Sequence, residues 1–391
     1  MPSVRLSVVA AALFAGACTI GPINAQEPSP SVSVGFGVDT SITDVRNIVS
    51  LARAYLSKPD SSARSRGLWS VSTEFDRRVG DTAGQAYQGF AATVVGVIPA
   101  EPGDSVYVVK VLYATADSAR RVSPLALQRL YAVRETGAPF AFRFSSALRR
   151  LTSTWERRFT GRISFWYAPG QRPNPARIDR ATRFVDSVAR LFSVPAPRHL
   201  DVYVGASMEE VQRAIGLDFF PEASGPGQGR GGLNLGSVLL VGDPSIGEAY
   251  LHEFVHAVLG PALPAGNRLL GEGVATWLGG SRGRTPREMY ALLRRYQEAD
   301  PTLTLSGVLR NTFENGDAKR GTDLLYATGA LVANALYRRQ GIAGVRRFYQ
   351  LKGDTDILLR QLTIELGLPG TESGSLDSWW RAEAARASGN R

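Results

Sequence analysis

The chain has 391 residues and 44% hydrophobic content, enough for two ordinary domains and a core that needs no covalent staple. Its single cysteine, Cys18, excludes a disulfide framework, a thiolate metal site and a cysteine nucleophile in the body of the chain. The net charge of +10 rests on arginines scattered in pairs such as Arg77-Arg78, Arg149-Arg150, Arg157-Arg158 and Arg346-Arg347, a pattern of solvated helix faces that argues against nucleic acid as a partner.

Residues 1–25, MPSVRLSVVAAALFAGACTIGPINA, place Arg5 before an apolar run at 6–17 that is too short to span a bilayer. This reads as an export signal, so the expected location is the periplasm or the medium. Ala15-Gly16-Ala17 and Ala25-Gln26 both fit cleavage. Ala-Gly-Ala-Cys18 is an imperfect lipoprotein box, which makes membrane anchoring through a lipidated Cys18 the alternative. Residues 26–41, opening rich in Pro and Ser, read as a linker.

From 42 to 160 the pattern predicts a small α+β domain. A helix at 45–56 precedes strand-like runs at 89–98 and 105–113, joined through the Pro-Gly of GVIPAEPGDSVYV. Further runs at 128–134 and 140–143 extend one curved antiparallel sheet under one helix. The arrangement resembles the nuclear-transport-factor or cystatin-like type and carries no catalytic motif.

The second domain, 161–391, opens with the strand ISFWYA, an amphipathic helix at 178–191, a strand at 199–204 and a short helix at 208–215 opened by Ser207. His199, beside that strand, is expected to be a satisfied residue and not a ligand. GPGQGRGG at 225–232 lacks the Lys-Ser/Thr and the strand-loop-helix context of a nucleotide loop, and reads as a loop entering a strand at 237–241.

The chemistry concentrates in SIGEAYLHEFVHAVLGPALPAGNRLLGEGVATWL, residues 245–278. His252 and His256 are four apart, so on a helix both imidazoles lie on one face, about 40° apart. With Glu253 between them they make the H-E-x-x-H zinc pattern. Ser245 and Glu248 have capping-box spacing, Leu251, Val255, Val258 and Leu259 supply an apolar stripe, and Gly260-Pro261 predicts the stop. A catalytic zinc needs a third protein ligand. His199 is distant in sequence and no cysteine is available, which leaves a carboxylate. The next one after Glu253 is Glu272, with 15 residues between His256 and it, at the start of a second apolar run. A helical hairpin would return it to the imidazoles.

HEFVH followed by LLGEGVATWL resembles the metal site of the gluzincin metallopeptidases, the thermolysin and aminopeptidase-like group. The likeness runs more faintly over 161–385, through ISFWYAPG and HLDVYVGAS upstream and DLLYATGALVANALYRRQGIAGVRRFYQ downstream. It implies an α+β chain ending in a zincin-like domain with a mostly helical C-terminal part. It also implies one Zn2+ held by His252, His256 and Glu272, with Glu253 as general base and a peptide or protein substrate. Tyr326, in LLYATG, occupies the place of a tyrosine that donates to the tetrahedral intermediate, while a core tyrosine is the competing reading. Tyr290, Tyr296 and Tyr337 fit that place less well. The edge at 233–240 matches the strand that takes substrate as an added strand. Two positions depart from the pattern. Gly271 stands where many members carry Asn, and Thr276 where the thermolysin branch carries an acid that holds an imidazole.

Further helices are expected at 286–298, 324–339, 343–349, 357–366 and 375–386, with Trp379 and Trp380 packing inward. The function expected is exported zinc-dependent peptide hydrolysis. The alternative is a catalytically inactive zincin-fold binding or structural envelope protein, and retention of Glu253, which is no ligand, favours the enzyme.

Overall fold

Burial alternates along 91–95 and 107–114, the period of a strand with one covered face. The computed structural model describes residues 32–57, 67–70, 79, 90–100, 103, 105–116, 121–219, 231–310, 318–369 and 373–389. The expected export signal and Cys18 lie outside them, as does most of the 225–232 loop. The chain forms two compact units, one running to Glu156 and taking in Gly205–Arg230, the other built from Arg157–Val204 and Gly231–Arg391.

In the first unit β1 (Val32–Val34) is followed by α1 (Thr43–Leu56), β2 (Ala91–Pro99), β3 (Val106–Ala116), β4 (Val122–Arg134), β5 (Phe142–Ser145) and α2 (Ala147–Leu151). The sheet order is β1-β2-β3-β4-β5, antiparallel except at the β1–β2 edge. Register shifts between Val94 and Gly96 and between Tyr113 and Ala114 are bulges, which bend and twist the sheet as expected for a curved one. Helix α1 buries Ile48, Leu51, Ala52 and Tyr55, and the Tyr55 ring meets Trp69 edge-on at 5.6 Å and Phe144 at 5.5 Å. Strand β1 lies inside the stretch expected as linker. Its Val-Ser-Val alternation is a strand pattern that the Pro and Ser content before it obscured.

The chain then enters the second unit with β6 (Glu156–Thr160), β7 (Ile163–Tyr167), α3 (Pro175–Leu191) and β8 (Leu200–Val204). Asn174 caps α3 by accepting from the Arg177 amide at 3.1 Å. It leaves again for α4 (Met208–Ala214), capped by Ser207, and β9 (Leu217–Phe219), which pairs antiparallel with the middle of β4. Arg129 and Asp218 form an ion pair across that pairing. The short helix expected within the second domain therefore counts with the first unit, because the strand after it completes the β4 edge.

On its return the chain forms β10 (Gly232–Asn234), β11 (Val238–Val241), α5 (Leu251–Leu259), α6 (Arg268–Gly279), α7 (Pro286–Ala299), α8 (Leu305–Arg310), α9 (Ala318–Gln350), α10 (Thr355–Glu365) and α11 (Ser373–Ala387). The sheet order is β10-β11-β8-β7-β6, with β7, β8 and β11 parallel and β10 an antiparallel edge. Ile163, Phe165, Val202, Leu239 and Val241 belong to one core with Val185 and Val188 of α3 and Phe254, Val255 and Val258 of α5. Full burial of a side chain such as Phe254 contributes about 1.5–3 kcal/mol. Trp380 is fully buried and Trp379 packs against the same core, as expected. The two helices expected at 324–339 and 343–349 both form within the α9 span, which Gly341 breaks with a non-helical φ of 64° and ψ of −162°.

Candidate metal centre

Helix α5 begins at Leu251 and not at Ser245. The capping box expected from Ser245 and Glu248 does not form. Ser245 hydrogen-bonds to Asp243 instead, and the buried Glu248 carboxylate accepts from the Tyr167 hydroxyl at 2.9 Å and the Asn174 amide at 2.7 Å. Partners distant in sequence outcompete the local cap. The result ties the end of β7 and the start of α3 to the residues that aim α5. The helix stops at Gly260, as expected from Gly260-Pro261.

With Leu251, Phe254, Val255 and Val258 committed to the core, His252 and His256 are left on the face that meets α6. Asn267 sets that helix by accepting from the Leu270 amide at 2.9 Å and donating to the carbonyls of Phe348 and Leu351. Glu272 then reaches back to α5. Its Oε2 lies 3.1 Å from His252 Nε2 and 3.5 Å from His256 Nε2, and the two Nε2 atoms are 3.2 Å apart. These ligand-type atoms all lie within 4.8 Å of one another, and among the described residues this is the group of His, Cys, Asp and Glu that could hold a metal ion. His252 Nδ1 is 3.0 Å from the Gly280 carbonyl. A carbonyl can only accept, so Nδ1 carries a hydrogen, and Nε2 is the ring nitrogen turned towards the cluster. Two neutral imidazoles and one carboxylate are the donor set of a catalytic zinc, and the residues fit the ion the motif implies.

The two carboxylates are pushed in opposite directions. Burial raises Glu253, with the charge of Glu272 adding to it. Burial also opposes ionisation of Glu272, but His256 and His252 outweigh it and hold Glu272 well below the usual carboxylate range. For His256 burial works against the charge, yet Glu272 and Glu253 raise it to about 9 in the metal-free protein.

A raised imidazole pKa stabilises the metal-free fold fully below its ordinary value of 6.5, and that contribution is lost as pH climbs through about 9. An entering cation must displace the same proton. Zinc affinity should therefore rise by roughly tenfold per pH unit from 6.5 towards 9 and then level off. Chelator competition across that range would show it, and an affinity flat in pH would contradict it.

Tyr326 comes from α9, and its ring stacks on His252 with centroids 5.4 Å apart and planes 6° from parallel. Burial, then the adjacent Glu272 carboxylate, raises its hydroxyl well above the ordinary tyrosine value, so it is a phenol and a donor. Tyr250 stacks against His252 as well, at 6.3 Å, a contact the sequence reading missed. Tyr290 bonds to the Ala330 carbonyl, Tyr296 to Asp323, and Tyr337 packs on Trp277. His199 pairs with Asp201 at 3.3 Å, stacks on Phe159 and is not part of the cluster.

The edge strand β10 passes close to α5. A Cβ on Gly232 would lie 2.3 Å from the Tyr250 ring and 3.0 Å from Cγ of Glu253, so only glycine fits there. Asn234 on the same strand donates to the Glu253 carbonyl at 3.3 Å.

No family model and no curated protein matches the chain. Among solved structures it is similar to a mutant M1 zinc metallopeptidase from Deinococcus radiodurans bound to a Tyr-Ser-Ala substrate, with 15% identity, a TM-score of 0.36, and 76% of this chain and 63% of that chain covered. A mutant two-domain M1 zinc metallopeptidase bound to L-tryptophan gives 15% identity, a TM-score of 0.35, and coverages of 77% and 64%. This chain thus spans less than two thirds of the length of either. Fold and site together define an α+β chain of two units, the second carrying a largely buried His-His-Glu cluster able to hold a metal ion.

Proposed function

We propose that the chain is an exported zinc-dependent peptidase. The observation that carries this reading is Glu253, a buried carboxylate of raised pKa that stands on the helix of His252 and His256 and contributes no atom to the three-donor cluster. Metal binding alone does not require it. A zinc ion held by His252, His256 and Glu272 would supply Lewis acidity towards the attacking water and the scissile carbonyl. Glu253 accepts the proton of that water and passes it to the leaving amine. The outer edge of β10 pairs with the peptide as an added strand, which brings the scissile bond over Glu253. Digestion of a broad peptide library by the zinc-loaded protein near neutral pH tests the reading, and a zinc-replete protein that cleaves nothing would favour the binding-scaffold alternative.

Tyr326 is the proposed donor to the developing oxyanion. Tyr326→Phe should lower kcat by about 10²–10³-fold while zinc affinity stays near wild type. If zinc affinity falls instead and kcat at saturating zinc is unchanged, the hydroxyl serves Glu272 and not the oxyanion.

Export rests on residues 1–25 alone. Mass spectrometry of the native protein should find a mature N-terminus at or beyond Cys18, with a diacyl mass on Cys18 identifying the anchored form. An intact Met1 on exported material would refute the signal reading.

A further inference from the structure

We propose that Gly279 and Gly280 are positioning residues for the metal centre, holding the His252 imidazole through a main-chain carbonyl. The inference rests on the zinc reading of the cluster and names what keeps one ligand in place. Helix α6 supplies Glu272 and, seven residues on, ends against the first turn of α5. At that end the backbones touch. A Cβ on Gly279 would lie 2.6 Å from the His252 nitrogen, 2.7 Å from the Leu251 carbonyl carbon and 2.9 Å from the His252 Cα. All three are main-chain or Cα positions of a packed helix, so no side chain can swing aside to make room.

Gly280 completes the device. Its amide closes the last turn of α6 on the Thr276 carbonyl at 2.9 Å, and its own carbonyl accepts from His252 Nδ1 at 3.0 Å. Its φ of 75° with ψ of −168° is open to glycine and strained for other residues, and a Cβ there would lie 2.1 Å from the Arg284 carbonyl oxygen. The turn beyond is fixed by reciprocal bonds between Ser281 and Arg284, at 3.0 and 2.9 Å. The carbonyl is thereby held from both sides. A carbonyl partner on Nδ1 fixes the tautomer and ring angle and raises the basicity of the ligating nitrogen. One helix thus delivers the carboxylate ligand and orients the imidazole ligand, and displacing its end disturbs both.

Gly271 is a built-in control. It lies on the same helix beside Glu272, but an added Cβ would meet only the Ala265 Cβ at 3.4 Å, an ordinary contact. The experiment measures zinc affinity by chelator competition, thermal unfolding of the metal-free protein, and the visible spectrum after Co(II) substitution. Gly279→Ala should lose about 10–100-fold in zinc affinity and change the Co(II) spectrum at saturation, while Gly271→Ala keeps the wild-type values. Wild-type affinity and spectrum in a folded Gly279→Ala would overturn the proposal, as would a loss of thermal stability with no change at the metal. If wild type itself takes up no zinc, the peptidase reading fails first, and separately. Where Gly279→Ala does not fold, long-range 15N NMR of histidine-labelled, zinc-loaded wild type decides. His252 ligating through Nε2 with an exchange-protected Nδ1 proton supports the clamp, and ligation through Nδ1 overturns it.

Discussion

Glu253→Gln is expected to leave the fold and zinc content of the protein nearly unchanged and to lower kcat by about a hundred- to ten-thousandfold. Glutamine keeps the volume and hydrogen-bonding reach of the side chain and removes the basic oxygen. Because Glu253 contributes no atom to the His252, His256 and Glu272 cluster, its loss as a base does not empty the site. Burial raises its pKa, and that is the direction a general base needs to bind a proton at neutral pH and release it again. At about 1.4 kcal/mol per factor of ten, the expected loss is about 3 to 5.5 kcal/mol of transition-state stabilisation. The comparison uses zinc-replete proteins on the same peptide library. Equal cleavage by wild type and variant would remove Glu253 from the mechanism.

What the sequence made legible follows from locality. The four-residue spacing of His252 and His256 needs only helix geometry to bring two imidazoles together, and Gly260-Pro261 ends that helix by backbone chemistry of its own. Glu272 was legible because a chain with so few histidines left a carboxylate as the third donor. The features that were hidden depend on partners far along the chain. Ser245 and Glu248 have the spacing of a local cap, but Tyr167 and Asn174, some seventy to eighty residues upstream, take the Glu248 carboxylate. Strand β9 interrupts one unit to finish the sheet of the other, and no periodicity in three residues announces it. The group that holds His252 is a peptide carbonyl at Gly280. A search for an acid or amide at the expected neighbouring positions finds Thr276 and Gly271, because a main-chain acceptor leaves no side-chain signature. Tyr250, two residues before His252, stacks on it through the bend that precedes α5, and helical spacing applied from Ser245 puts that ring elsewhere.

Glu272→Ala should abolish stable zinc binding, and its effect separates the ligand from the base. Structural zinc sites bind with about 10–16 kcal/mol over four ligands, so one ligand carries about 2.5–4 kcal/mol, or roughly 10²–10³ in affinity. Two imidazoles on adjacent helical turns would remain, too few for a catalytic site. The metal-free protein also changes. Burial already opposes charge on His256, and without the Glu272 carboxylate the main contribution holding its proton is gone, so its pKa should drop from about 9 towards or below the ordinary imidazole value. The steep pH dependence of zinc uptake seen in wild type should then flatten above neutrality. Elemental analysis after zinc reconstitution and dialysis should find about one zinc per chain in wild type and in Glu253→Gln, and far less in Glu272→Ala. A Glu272→Ala protein that keeps its zinc would exclude this carboxylate from the ligand set. Loss of turnover with zinc in Glu272→Ala, against loss of turnover without zinc loss in Glu253→Gln, is the pair of outcomes that a hydrolytic centre requires and that a metal-holding scaffold has no turnover to produce.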